Sequence, residues 1–288
     1  MGSACARSPS LARDERRNAR ASCYPPPRAA GYAPMKPIPG RHRLASETVR
    51  TGPRASVLGH PLDLIDLETS ARHLTGRART GHVTTVITLN PELVVRARSD
   101  AALQHAIHAA DLVVPDGVGI VWAARRSGIS VPGRVPGVEL TQRILELAER
   151  EVPTFLLGAR PGVAAKAADV ARERFGTQVV GVQDGYFDPS RDEEIAARIA
   201  ASGAQLLVVG LGERQERFVE AQRANLGPVV ALSVGGTLDV LAGAAKRTPA
   251  WTHRMGLEWA WRIGFDPARW HRAPRLAQFA WQVLTAPR

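Results

Sequence analysis

Cysteine is almost missing from this chain. Its two copies, Cys5 and Cys23, both lie near the amino terminus. A disulfide framework and a cysteine-based zinc site are therefore excluded for the rest of the chain, which agrees with a reducing cytoplasm. No apolar run reaches the roughly 18 residues that a membrane-spanning helix needs. The amino terminus lacks the apolar core of a secretory signal. Aromatic residues make up only 5% of the chain, and acids are outnumbered, 27 Asp and Glu against 38 Lys and Arg. Hydrophobic residues are nevertheless 44% of the total, which excludes a wholly disordered chain. The 288 residues suit one large α/β domain or two small ones, each long enough to bury a core.

The charge is unevenly spread. Residues 1–50 carry a net +7, residues 245–288 a net +6, and the stretch 51–244 between them −2. A near-neutral body with two basic ends is not the profile of a general nucleic-acid binder. Residues 1–50 are rich in Arg, Ala, Ser and Pro, with Pro25–Pro27 in succession, and read as a disordered basic extension. Met35 is a second candidate start, which would leave residues 1–34 outside the protein. The other end is basic and aromatic. Trp251, Trp259, Trp261, Trp270 and Trp281, five of the six tryptophans, lie there with Phe265 and Phe279. Such a segment reads as an amphipathic, interface-seeking appendage, with ordinary core packing as the plain alternative.

From residue 55 onward, short β-branched runs alternate with longer helical stretches. Strands are expected at 84–89, 112–114, 154–157, 178–182, 206–210 and 229–233. Helices are expected at 91–109, 117–126, 139–151, 163–175, 191–201, 215–225 and 238–244, with Ser190 as a cap for the fifth. The strands are apolar on both faces, as buried parallel strands are. The fold class is therefore α/β, a Rossmann-like parallel sheet flanked by helices over 51–244, with a helical appendage over 245–288. In such a fold the loops leaving the carboxyl ends of the strands build the site.

Five of these exits carry candidate chemistry. Thr88-Leu-Asn90-Pro-Glu92 ends a strand with two polar residues, and capping by Asn90 is its plain alternative. Pro115-Asp116-Gly117 places a carboxylate on a tight turn, where it can act as a general base or simply make a turn. Gly133-Arg134-Val-Pro-Gly137 offers one arginine, which on this loop alone reads as a solvated side chain or a phosphate contact. Gly210-Leu-Gly212-Glu-Arg-Gln215 and Ser233-Val-Gly235-Gly236-Thr237 are glycine turns leading into helices. Two of them on neighbouring strands suggest a nucleotide diphosphate. The first is not a dinucleotide fingerprint, because Gln215 stands where the third glycine belongs, which argues against a dehydrogenase. His105 and His108 lack ligand partners in sequence, and neither a nucleophile elbow nor a P-loop occurs.

Taken together, these segments resemble the WecG/TagA/CpsF family of bacterial glycosyltransferases. The resemblance runs from about residue 55 to 285. It rests on TLNPE, ADLVVPDGVGIVWAAR, RVPGVEL, FLLGARPGVA, DGYF, LLVVGLGERQE, SVGGTLDVLAG and KRTPAW…GLEWAWR, in that order and spacing. It implies an inverting transfer from a UDP-sugar to a polyprenyl-diphosphate-linked acceptor sugar, with no metal or other cofactor expected. The donors it implies are UDP-N-acetylmannosamine, its uronic acid or a glucose-type sugar. The products would feed teichoic acid, common antigen, capsule or exopolysaccharide. By the same resemblance Asp116 is the catalytic base, and Thr88, Asn90, Arg134 and Gln215 bind substrate beside Gly235 and Gly236. Arg262, Arg269 and Arg272 of the appendage would embrace the diphosphate. The family usually has proline where Arg214 stands here, so the turn before Gln215 is expected to differ. The resemblance places the enzyme at the inner face of the plasma membrane, against an anionic surface and without nucleic acid. It suggests a homodimer, or a monomer that switches state at the membrane. The alternative is a membrane-surface scaffold that has kept the fold without the catalysis.

Overall fold

The computed structural model describes residues 52–244 and 273–286. The basic extension over 1–50, and Arg262, Arg269, Arg272 and most of the appendage aromatics, lie outside the described residues.

Six strands form one all-parallel sheet. They are β3 (Thr84–Leu89), β4 (Leu112–Pro115), β5 (Thr154–Gly158), β6 (Val179–Gln183), β7 (Leu206–Gly210) and β8 (Val230–Ser233), in the order β4-β3-β8-β7-β5-β6. Each expected strand is present to within a residue or so. Alternate side chains leave each strand on opposite faces, and both sets are apolar. From β7, Leu206 and Val208 enter one core layer, while Leu207 and Val209 enter another. The first layer lies under α1 (Leu67–Arg79), α5 (Gly137–Ala148), α6 (Val163–Phe175) and α9 (Thr237–Leu241). The opposite face is covered by α7 (Asp192–Ala201) and α8 (Gln215–Ala221) toward β5 and β7. Toward β3 and β4 it is covered by α2 (Pro91–Ala97), α3 (Ala101–Ala109) and α4 (Val118–Arg126).

Several elements depart from the sequence reading. The helix expected over 91–109 is two helices. Asp100 interrupts it, because its Oδ1 accepts the Leu103 amide at 2.9 Å and starts α3. Ser190 is not the cap of the helix at 191–201. The carboxylate of Asp188 accepts the Ser190 amide at 2.9 Å and opens a short 3₁₀ turn, Pro189–Arg191, before α7. The helices begun at 215 and near 238 end early, at Ala221 and Leu241. Beyond α9 the chain turns at Gly243, whose φ of +67° suits glycine.

Helix α1 and an antiparallel hairpin, β1 (Arg54–Val57) and β2 (His60–Asp63), were not anticipated. The hairpin covers the β4 edge. Asp63, buried, accepts the Val113 amide at 2.7 Å, and Arg54 donates to the carbonyl of Asp111 at 2.9 Å while pairing with Asp63. An exposed parallel edge would be open to pairing with another chain, and these contacts close it.

The described part of the appendage is one helix, α10 (Ala273–Thr285), packed on α2 and α4. Phe279 and Val283 are buried in the same core as Leu93 and Ile120. Arg126 donates to the carbonyls of Val283 and Leu284, both at 2.8 Å, and so caps the end of α10. Trp281, 69% exposed, and Leu284 face away from the protein. No helix among the described residues is long and apolar enough to cross a membrane.

Candidate active site

The sheet's strand order fixes where a crevice opens. The chain leaves β5 outward to β6, then leaves β7 in the opposite direction to β8. Connections that diverge from neighbouring strands open a crevice at their carboxyl ends. Bare backbone lines this one. A Cβ on Gly158 would lie 2.3 Å from the carbonyl oxygen of Gly210, and one on Gly210 would lie 2.8 Å from that of Gly235. Three successive strand exits are thus in close contact, and a side chain at Gly158 or Gly210 would force them apart.

The sequence-expected residues gather along the same edge. Asp116, half-buried, follows β4, and its amide donates to the carbonyl of Leu89 at the end of β3 at 2.7 Å. The next residue, Gly117, has a φ of +90° and turns the chain into α4. The loop carrying Arg134 is tied to the same exit, since the Val135 amide donates to the Pro115 carbonyl at 2.7 Å. Thr88 donates its hydroxyl to the Ser233 carbonyl at 3.1 Å and so joins the β3 and β8 exits. Gly137, which opens α5, sits against Val234 and Thr88. The β8 exit is joined in turn to the β7 exit, because the Gly235 amide donates to Gln215 Oε1 at 3.1 Å.

Several of these residues are also engaged within the protein. Asn90 does cap α2, its Oδ1 accepting the Leu93 amide at 3.0 Å. Gln215 is 6% exposed, with its oxygen on Gly235 and its nitrogen on Glu216. It braces two strand exits. The Gly235 amide is engaged by Gln215, while Gly236 is exposed at the start of α9.

Other residues enter the site unannounced. Arg214, where the resemblance leads to an expectation of proline, pairs with Asp192 and lies over the Phe187 ring at 4.7 Å. It thereby binds the β7 turn to the loop after β6. Tyr186 on that loop is 73% exposed and puts an aromatic ring at the rim; its only sequence signal is the DGYF segment. Arg275 of α10 reaches Glu92 at 2.7 Å and Glu213 at 2.8 Å. Both acids stand beside candidate residues, so one arginine ties the appendage to the β3 and β7 exits.

Helices α1, α2 and α3 are each capped by an Asp or Asn side chain. Helices α4 to α9 have no side-chain cap; α4 and α6 start from the loops after β4 and β5, and α5 from the loop after α4 that is tied to the β4 exit. Their first amides face the carboxyl edge of the sheet, where the uncapped ends of helices favour negative charge. Among the described residues no group of three or more His, Cys, Asp or Glu is placed to hold a metal ion.

The chain matches a family model, that of the Glycosyl transferase WecG/TagA/CpsF family, over residues 55–288. The match spans most of the chain and every strand exit described above. The chain therefore belongs to that family of glycosyltransferases for cell-surface polysaccharide synthesis, built here on a parallel α/β sheet with a carboxyl-terminal helix docked on it.

Proposed function

We propose that this protein is an inverting glycosyltransferase that moves a sugar from a UDP-sugar to a polyprenyl-diphosphate-linked acceptor sugar. The observation that carries the reading is the position of Asp116. It sits half-buried at the carboxyl edge of the sheet, on a glycine turn braced by the β3 exit. An acceptor hydroxyl is a weak nucleophile. A carboxylate within hydrogen-bond reach takes its proton as the new glycosidic bond forms, an effect worth about 10²–10⁴-fold. The bond from the donor sugar to the diphosphate breaks in the same displacement, and UDP leaves with an added negative charge. Arg134 and the uncapped amides of α4, α5 and α6 suit that charge. Arg262, Arg269 and Arg272 remain expectations of the sequence for the same task. The donor sugars favoured are N-acetylmannosamine, its uronic acid or a glucose-type sugar.

A lipid-linked acceptor requires an enzyme that works at the membrane surface. The outward Trp281 and Leu284 of α10, together with half-exposed Trp122 of α4, support a peripheral seat on an anionic leaflet. The test is UDP release from a panel of UDP-sugars with a lipid-diphosphate N-acetylglucosamine acceptor and liposomes. Acceptor-dependent release with one donor is expected, falling at least about 10²-fold in Asp116→Asn. Liposome binding by folded protein with no release from any donor would favour the scaffold reading.

A further inference from the structure

Glu216 follows Gln215, the first residue of α8, and is only 2% exposed. Its Oε2 is buried without a hydrogen-bond partner. Burial holds its carboxyl above the usual range, despite the opposing hydrogen bonds from its own amide and from Gln215 and the pull of Arg96 and Arg217. A buried polar atom without a partner costs about 1–3 kcal/mol, which an apolar residue of similar size would avoid. Packing alone therefore does not account for an acid here.

What the carboxyl does supply is direction. Its Oε1 accepts from Gln215 Nε2 at 2.7 Å, and Gln215 Oε1 accepts from the Gly235 amide at 3.1 Å. An amide group has a donor end and an acceptor end, and it can be turned over. With an acceptor on one side and a backbone N–H on the other, only one orientation of Gln215 satisfies both. The turned-over amide would set its NH2 against the Gly235 N–H and its oxygen against Glu216 Oε1.

Resting on the reading of the site as a UDP-sugar crevice, we infer that Glu216 is a positioning residue. It acts through Gln215 to hold the Gly235–Gly236 turn, and with it the wall of the crevice that takes the nucleoside diphosphate. The turn is also held by Thr88 on Ser233, by the Val234 amide on the Val209 carbonyl, by the amide and hydroxyl of Thr237 on the Val234 carbonyl, and by the close approach of Gly210 to the Gly235 carbonyl. Gln215 supplies the hold on its amide side.

Two variants of the full chain separate this from a structural role. Glu216→Leu removes the orphan oxygen and the acceptor together; Glu216→Gln keeps an acceptor oxygen for Gln215. The first readout is hydrogen exchange of the Gly235 amide in ¹⁵N-glycine-labelled protein, which does not depend on any reaction. The second is UDP affinity by calorimetry. In Glu216→Leu the Gly235 amide is expected to exchange about tenfold faster and UDP to bind about tenfold more weakly, the scale of one lost hydrogen bond. The melting temperature should not fall. Glu216→Gln should restore both readouts. In a Gln215→Ala background Glu216→Leu should add nothing, because the two residues act as one unit. Unchanged Gly235 exchange in Glu216→Leu would overturn the inference, as would a Glu216→Gln protein that behaves like it. Wild-type protein that binds no UDP would instead overturn the reading of the crevice, and the exchange rates would still decide whether Glu216 holds the turn.

Discussion

Glu216 also has a consequence for stability. Its carboxyl is pushed upward by burial in the folded chain, so the folded state holds its proton more tightly than the unfolded state does. The stability from that proton is fully present below the unfolded carboxyl value of about 4.3. It is lost as pH rises through the folded value. Glu216→Gln cannot ionise and lacks this decline. The melting temperature of the variant, relative to wild type, should therefore climb as pH is raised from about 4. Parallel melting curves across pH would refute the tighter hold on the proton. Little of this was legible beforehand. Asp116 stood out because a carboxylate on an Asp-Gly turn follows an apolar run. Gln215 stood out by position, but nothing in its neighbours' identities shows its amide turned inward onto Gly235. Arg214 read as a departure from the family, and only the folded chain brings Phe187 and Asp192 to it.

Single elements differ in what fastens them, and α10 shows this best. Three kinds of contact hold it: the ion pairs of Arg275 with Glu92 and Glu213, the hydrogen bonds of Arg126 to the carbonyls of Val283 and Leu284, and the burial of Phe279 and Val283. Glu213 is largely exposed, and ion pairs with an exposed partner are typically worth about 0–1 kcal/mol. Truncating a buried Phe to Ala typically costs about 3–5 kcal/mol. Burial should therefore decide whether the helix is docked, and Arg275 how it sits. Phe279→Ala is expected to bring amide exchange in 273–285 close to that of an unfolded segment while the sheet stays protected. Arg275→Ala should speed it by a few-fold. Comparable exchange in the two variants would place the docking energy in the ion pairs. The parallel strands were legible because they are apolar on both faces. The hairpin was not, since each of its strands has four residues, Pro61 breaks the pattern in β2, and the turn needs a positive φ at Leu58, which sequence does not announce. Helix α1 is dominated by polar and charged residues and shows only a narrow apolar stripe, Ala71, Leu74 and Ala78.

For the molecule as a whole, the hairpin makes the closed sheet edge sensitive to acid. His60 of β2 is buried, its Nδ1 has no partner, and its ring lies 5.9 Å from that of His108 on α3. Burial first, and His108 second, hold its pKa below the ordinary value of 6.5. The folded state thus resists a proton that the unfolded state accepts. Its contribution is complete above about 6.5 and is lost as pH falls toward the depressed folded value. Asp63, which holds the β4 edge through the Val113 amide, belongs to the same strand, so protonating His60 strains the element that closes the sheet. Wild-type protein should lose thermal stability between about pH 7 and 5, ahead of the range in which most carboxylates titrate. His60→Gln, which takes up no proton there, should lose less over the same interval, whatever its stability at pH 7. Equal losses would move the acid sensitivity off the hairpin. Amide exchange at Val113, corrected for the intrinsic slowing of exchange by acid, then gives an independent reading: its protection should fall on acidification in wild type and stay level in His60→Gln, because the bond from Val113 to Asp63 survives only while the hairpin remains seated.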